Sequence, residues 1–338
     1  MSGSGRRERR KLFERYSRDL AKHRPELNGR FMCPICGRDF PPAALDGNEL
    51  ARAHVMPKGL GLRLETLSCR RCDNDIGKVN AHAVREKRHS EWGQGKGRIR
   101  FRLAHSGNRA IAVETRWREG ELSLYGNPRK EPPNAWDWLQ GLAETSNAVF
   151  TLSTQAADST KICISLLHSA FLMMFHTFGY EYALSENAAT IRSILALKVP
   201  VGEFRRAVWS ATGGDPAGLL NRPPFVAIAA RPADLRCFVV SFPPVWGTEL
   251  GRVVVLPGFG PEGLSSYQRL LGGSQPPHIA KMVKIQLHPT LQQYPDVDVA
   301  RTVWELCQSD HFLANCPDTV TVGAPCSIDQ PRVDAQLS

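Results

Sequence analysis

The 338-residue sequence lacks a G-X-Y period and sustained heptads, which excludes collagen-like and coiled-coil architectures. It also lacks a run of the ~18–20 apolar residues that a membrane-spanning helix requires. The longest apolar run, Ile162 to Phe175, is interrupted by Ser165, His168 and Ser169, and is expected to be a buried core helix. The N-terminus, MSGSGRRERRKLFERY, is basic with no apolar stretch behind it, so no secretory signal is read and a cytoplasmic location is expected, with no membrane partner. No P-loop, G-x-S-x-G or internal repeat occurs. With 42% hydrophobic and 22% charged residues, the composition is that of an ordinary globular chain and excludes global disorder. A chain of this length buries enough core to need no disulfides.

Net charge is missing from the larger part of the chain. Residues 1–98 carry 22 Lys+Arg against 12 Asp+Glu, whereas residues 99–338 carry 21 of each, so the whole excess of +10 lies in the first 98 residues. A confined basic region predicts a polyanionic partner, most often nucleic acid. Residues 6–24 read as a helix, with Leu12, Phe13, Tyr16 and Leu20 on one apolar stripe and Pro25 as its end. The candidate nucleic-acid contacts on it are Arg6, Arg7, Arg9, Arg10, Lys11, Arg15 and Arg18.

What is present is an uneven set of nine cysteines. Four form two C-x-x-C pairs, Cys33-Pro-Ile-Cys36 and Cys69-Arg-Arg-Cys72, separated by 32 residues. Each pair places two thiolates on one tight turn, and together they supply the four corners of a structural Zn²⁺ site. The remaining five (Cys163, Cys237, Cys307, Cys316, Cys326) have no metal-like spacing, and Cys163 and Cys237 sit among apolar residues as small core side chains.

Between the pairs, Leu50 to Pro57 reads as a short strand stopped by proline, followed by a glycine-rich turn and a second strand, Leu62 to Ser68. The second pair opens a helix, Cys72 to Arg88, with Ile76, Val79 and Ala83 on one face. This order, with His54-Val55-Met56-Pro57 and Cys69-Arg70-Arg71-Cys72-Asp73-Asn74-Asp75-Ile76-Gly77, resembles the zinc-bearing subgroup of the HNH endonucleases and their ββα-metal fold. The resemblance covers about residues 30–90.

The resemblance implies a metal-dependent endonuclease that hydrolyses phosphodiester bonds in DNA. It makes His54 the general base and Asp73 the ligand of a catalytic Mg²⁺ or Mn²⁺, while the zinc stays structural. Asn80 shares the Asp73 face of the helix, and Asn80 and His82 are candidate site-lining residues. The sequence departs from the family where Ala53 replaces the usual acidic ligand, and where Thr66, with Glu65 beside it, is the nearest polar candidate to orient His54. Asp46, Glu49 and Asp75 are other carboxylates near the gap left by Ala53. The alternative is a catalytically inactive HNH-like module kept for nucleic-acid or partner binding.

The organisation expected is α+β: a basic helix (1–29), a zinc-stapled HNH-like module (30–95), a larger α+β domain (96–316) and a polar, loosely ordered tail (317–338). Within the larger domain, strands are expected at 98–104, 110–117, 121–125, 225–230, 235–242, 252–256 and 282–287, and helices at 134–145, 158–182 and 188–198. His168 and His176, on the long apolar helix, are expected to be satisfied core histidines. The 96–316 domain is a candidate for ligand sensing, target choice, or assembly with a partner or a second copy.

Overall fold

The computed structural model describes residues 3–60, 64–105, 111–125, 150–196, 202–210, 225–231, 237–242, 252–272, 281–287 and 319–322. The expected helix at 134–145 lies outside them. The fold is mixed α+β.

Helix α1 (Gly3–His23) ends before Pro25. A minimal hairpin follows, β1 (Phe31–Met32) paired antiparallel with β2 (Asp39–Phe40), carrying the first cysteine turn at its tip. Then come β3 (Leu50–His54), antiparallel to β4 (Glu65–Cys69), and helix α2 (Arg70–Gly93). The start of α2 is set locally: Cys69 is its N-cap, with Sγ accepting from the Cys72 amide, and Asp73 lies in the first turn, where the helix dipole favours an anion. The loop between the strands closes tightly on α2. A Cβ at Gly59 would stand 2.8 Å from a Val84 methyl, and Lys87 Nζ donates to the Gly59 carbonyl at 2.9 Å.

Strands β5 (Ile99–His105), β6 (Ile111–Arg118), β7 (Glu121–Tyr125) and β8 (Phe150–Ser153) form an antiparallel sheet in the order β7-β6-β5-β8. Strict alternation buries Ile99, Phe101 and Leu103 and turns Arg98, Arg100 and Arg102 to the other face. Helix α3 (Ser159–Phe178) is capped by Asp158, whose carboxylate accepts from the Thr160 and Lys161 amides. It stops at Gly179, which adopts φ 60°. The helix expected to run to 182 is therefore broken there, and a single turn at Tyr180–Ala183 precedes α4 (Glu186–Leu195). Helix α3 is long and apolar enough to cross a membrane, but 78% of its most apolar window is buried inside the protein, which makes it a core helix.

The second large sheet has the order β14-β13-β10-β11-β12-β9, from β9 (Val208–Ser210), β10 (Phe225–Arg231), β11 (Cys237–Phe242), β12 (Arg252–Pro257), β13 (Lys281–Leu287) and β14 (Thr319–Val322). All its pairings are antiparallel except β13–β14. Residues 319–322, expected in the loose tail, are thus a strand. Helix α5 (Gly260–Gly272), which is not among the expected helices, buries Tyr267, Leu270 and Leu271.

One hydrophobic cluster runs from Phe13 and Phe31 through Leu67 and Cys72 to Phe171, Phe238 and Leu271. The core therefore does not stop at residue 95. Helix α1 is built into it: Tyr16 stacks on Phe175 at 4.4 Å and shares a 2.6 Å hydrogen bond with Thr66, and Asp19 accepts from the Tyr180 amide at 2.7 Å. The Tyr180 hydroxyl in turn bonds the Met32 carbonyl, closing the link to the cysteine hairpin.

Candidate metal and hydrolytic site

The Sγ atoms of Cys33, Cys36, Cys69 and Cys72 all lie within 4.8 Å of one another, and Cys36 and Cys69 are 3.7 Å apart. A tetrahedron with ~2.3 Å Zn–S bonds has edges of about 3.8 Å, so the cluster has the dimensions of a closed Cys₄ zinc site. The surroundings also suit thiolates. The Cys69 amide points at Cys33 Sγ, the Cys72 amide at Cys69 Sγ, and Arg38 Nη2 at Cys69 Sγ, each at 3.5 Å. Such a site staples the β1–β2 hairpin to the start of α2.

That staple fixes a cleft of about 650 Å³ beside it. His54 enters from the end of β3, and Asp73, Gly77 and Asn80 from one face of α2. His54 and Asp73 are close enough for each to feel the other's charge. Burial pulls His54 below its ordinary pKa, against the pull of Glu65 and Asp73, so the ring is neutral at pH 7. Burial pushes the Asp73 carboxyl up, opposed by Arg70 and His54.

The hairpin register explains what orients His54. Ala53 pairs with Thr66 and His54 with Glu65. Ala53 is buried in the core and does not line the cleft. Thr66, expected near the histidine, is fully buried and bonded to Tyr16 instead. Glu65 takes that place: its Oε1 stands 3.3 Å from His54 Nε2, and its Oε2 is 3.1 Å from Arg52. Side chains alternate along a strand, so 65 and 54 share one face and 66 and 53 the other. Asp46, Glu49 and Asp75 are not among the lining residues, and Asp75 faces Arg71 at 3.9 Å.

Asn80 lines the cleft, with Oδ1 accepting from Ser165 Oγ at 2.7 Å. His82, ~200° further round the helix, does not. Its Nδ1 accepts from the Asp158 amide at 3.0 Å and ties α2 to the cap of α3. His168 of α3 also lines the cleft and is 2% exposed, yet neither ring nitrogen has a hydrogen-bond partner among the described residues. The expectation of a satisfied core histidine fails for it.

The rim is cationic. Lys58, Arg85, Arg88, Arg98 and Arg100 line the cleft, and Asp73 is its sole carboxylate among the described residues. Arg98 also lies over the Tyr125 ring at 4.1 Å, and Arg100 is 3.5 Å from Glu114. None of the seven candidate contact residues on α1 lines this cleft. Arg9 falls on the buried stripe of Phe13, Tyr16 and Leu20 and donates to the Leu50 carbonyl at 3.2 Å. Arg15 donates to the His176 carbonyl at 3.3 Å, Arg18 to the Glu14 carbonyl at 3.2 Å, and Lys11 pairs with Glu8 at 3.1 Å. Arg6, Arg7 and Arg10 are exposed. The signal for the rim was available as Arg85/Arg88 at helical spacing and Arg98/Arg100 at strand spacing.

Compared with protein-family models, with curated proteins and with solved structures, the chain matches none.

Proposed function

We propose that the protein is a metal-dependent HNH-type endonuclease with a structural zinc, hydrolysing phosphodiester bonds in DNA. The observation that carries this reading is the meeting of His54 and Asp73 in one cleft, on a hairpin and helix stapled by four cysteines, under a rim of five cations. Glu65 beside Nε2 favours the proton on that nitrogen and leaves the lone pair on Nδ1. Nδ1 accepts a proton from water as the water oxygen bonds to phosphorus. The bond from phosphorus to the leaving oxygen breaks, and that oxygen takes a proton from solvent. The guanidinium rim holds the flanking phosphates, where bidentate pairing to phosphate oxygens fixes register.

Asp73 is the residue that would hold Mg²⁺ or Mn²⁺. A single carboxylate in an open, wet cleft suits a hard cation that keeps most of its waters. When bound, such an ion neutralises the scissile phosphate and stabilises the leaving oxygen.

The test is cleavage of supercoiled plasmid with Mg²⁺ or Mn²⁺. His54→Ala should lose about 10²–10⁴-fold in rate, the usual share of a general base. Wild-type protein inert with both ions on DNA and RNA sinks the reading. Binding without cutting would then favour the inactive nucleic-acid-binding module, to which the buried Ala53 points.

A further inference from the structure

Helices α2 and α3 lie side by side and antiparallel. Arg85 bonds the Ala156 carbonyl, His82 the Asp158 amide and Asn80 the Ser165 hydroxyl, so numbers rise along α3 as they fall along α2. His168, one turn beyond Ser165, therefore comes level with Ile76 and Gly77. Gly77 has no side chain, and a Cβ there would meet nothing within 4 Å. Gly77 and His168 both line the cleft.

His168 presents an unusual pairing of properties. It is almost wholly buried, and both ring nitrogens lack a partner among the described residues. Desolvation pushes it down to about 3, so the ring is neutral and offers one N–H donor and one lone pair. Buried polar groups are nearly always hydrogen-bonded, so two orphaned nitrogens on a residue that lines the cleft point to something the cleft holds. A phosphodiester carries acceptors only and can answer one of the two nitrogens. A nucleobase edge carries donors and acceptors together and can answer either or both. Ile76, Val84 and Ile99 line the same cleft and give a planar ring apolar contact.

We propose that the floor of the cleft takes one nucleobase of the bound strand, hydrogen-bonded by His168, while the arginine rim holds the adjoining phosphates. The proposal rests on the nucleic-acid reading of the cleft but not on catalysis. It makes His168 a binding residue contributed from outside the cysteine-stapled segment, and it requires the base to leave its stack, so single strands bind better than duplex.

The experiment is fluorescence anisotropy with the zinc-replete full chain, in buffer free of Mg²⁺, Mn²⁺ and chelator, on two labelled 12-mers. One is a mixed-sequence single-stranded oligodeoxynucleotide. The other is the same length with every base replaced by an abasic tetrahydrofuran unit. His168→Phe should weaken binding of the base-bearing strand at least tenfold and change the abasic strand less than twofold. His168→Gln, which keeps a donor and an acceptor, should recover part of the loss. Arg98→Ala should weaken both strands alike. Thermal unfolding of each variant checks the fold. His168→Phe binding both strands as the wild type does, or losing both equally while remaining folded, overturns the proposal. So does a wild-type protein that binds neither strand. Base-dependent binding through His168 in a protein that never cuts DNA leaves this proposal standing and removes the nuclease reading. Plasmid cutting without a His168 effect does the reverse.

Discussion

His54 and Glu65 are register partners across the β3–β4 hairpin, and their Nε2 and Oε1 atoms stand 3.3 Å apart. This pairing supplies from the neighbouring strand an anchor for the histidine that Thr66, on the opposite face, cannot provide. In the proposed reaction Glu65 fixes the tautomer and the ring orientation and does not touch substrate. Glu65→Ala should therefore lower kcat about 10–100-fold, less than the ~10²–10⁴-fold loss from removing the base itself. Glu65→Gln, whose side-chain oxygen can still accept from Nε2, should retain more activity than Glu65→Ala. KM should move little in both. Steady-state kinetics on a short duplex measure this, and a Glu65→Ala variant as active as wild type removes Glu65 from the site.

The cysteine cluster predicts one tightly held zinc per chain. Structural zinc contributes ~10–16 kcal/mol in isolated finger peptides, so loss of one ligand should be felt strongly. The segment shares its core with α3 through Phe31, Cys33, Leu67 and Cys72. Removing the metal should consequently lower the melting temperature of the whole chain rather than melt residues 30–95 on their own. Cys36→Ser is the mildest probe, because Cys36 is the most exposed of the four. Elemental analysis should give zinc near one equivalent for wild type and well below that for the variant. Zinc-free wild-type protein of unchanged stability would exclude the site.

Much of the local structure around the site is written in the sequence. The proline after His54, the paired C-x-x-C turns and the apolar stripe of α2 each dictate their element through short-range rules. The cleft is not legible in the same way. Its rim joins a helix face at 85 and 88 to a strand face at 98 and 100, and its floor uses a side chain from 168. His168 reaches the cleft only because α3 packs antiparallel on α2, and no local pattern encodes that packing. Net charge alone does not show that one of the α1 arginines, Arg9, lies on a buried stripe. Arg9 shares its helix face with Phe13, Tyr16 and Leu20, at steps of four, three and four residues, so its burial follows from helical geometry once that stripe is known to be covered.

Burial of His168 also makes stability depend on pH. Its folded pKa of about 3 lies below the ordinary unfolded value of 6.5. Below pH ~6.5 the unfolded chain binds a proton that the folded chain does not, so the folded state loses ground as pH falls. The contribution is fully present above pH ~6.5 and fades steadily from there toward pH ~3. For one such histidine the difference between pH 7.5 and pH 5.5 is about 1.4 kcal/mol. His168→Leu should abolish that part of the pH dependence. It should also raise stability at pH 7.5, since two unpartnered buried polar atoms are removed. Urea unfolding of both proteins at the two pH values measures the difference, and parallel losses for variant and wild type would contradict it.

The position of the cations decides where DNA is gripped, and salt dependence reads it directly. Each phosphate contact releases counterions worth about 0.9 in the log–log salt slope. Arg88 on α2 and Arg98 just before β5 line the cleft, and both are exposed. The double variant Arg88→Ala/Arg98→Ala should therefore reduce the slope by about 1.8 and weaken binding with little change in sequence preference. Deleting α1 is an unclean comparison. Phe13, Tyr16 and Leu20 are buried, and each contributes on the order of 1.5–3 kcal/mol to the fold, so truncation should chiefly destabilise the protein. Arg6→Gln/Arg7→Gln/Arg10→Gln is the cleaner control, because all three side chains are exposed and the apolar stripe stays intact. If the cleft is the main grip, the rim variant lowers the slope and the α1 variant leaves it nearly unchanged. The opposite result, a fall of about 2.7 from the three α1 substitutions and none from the rim, would place the phosphates on α1 and leave the arginines of the cleft without a polyanion to hold.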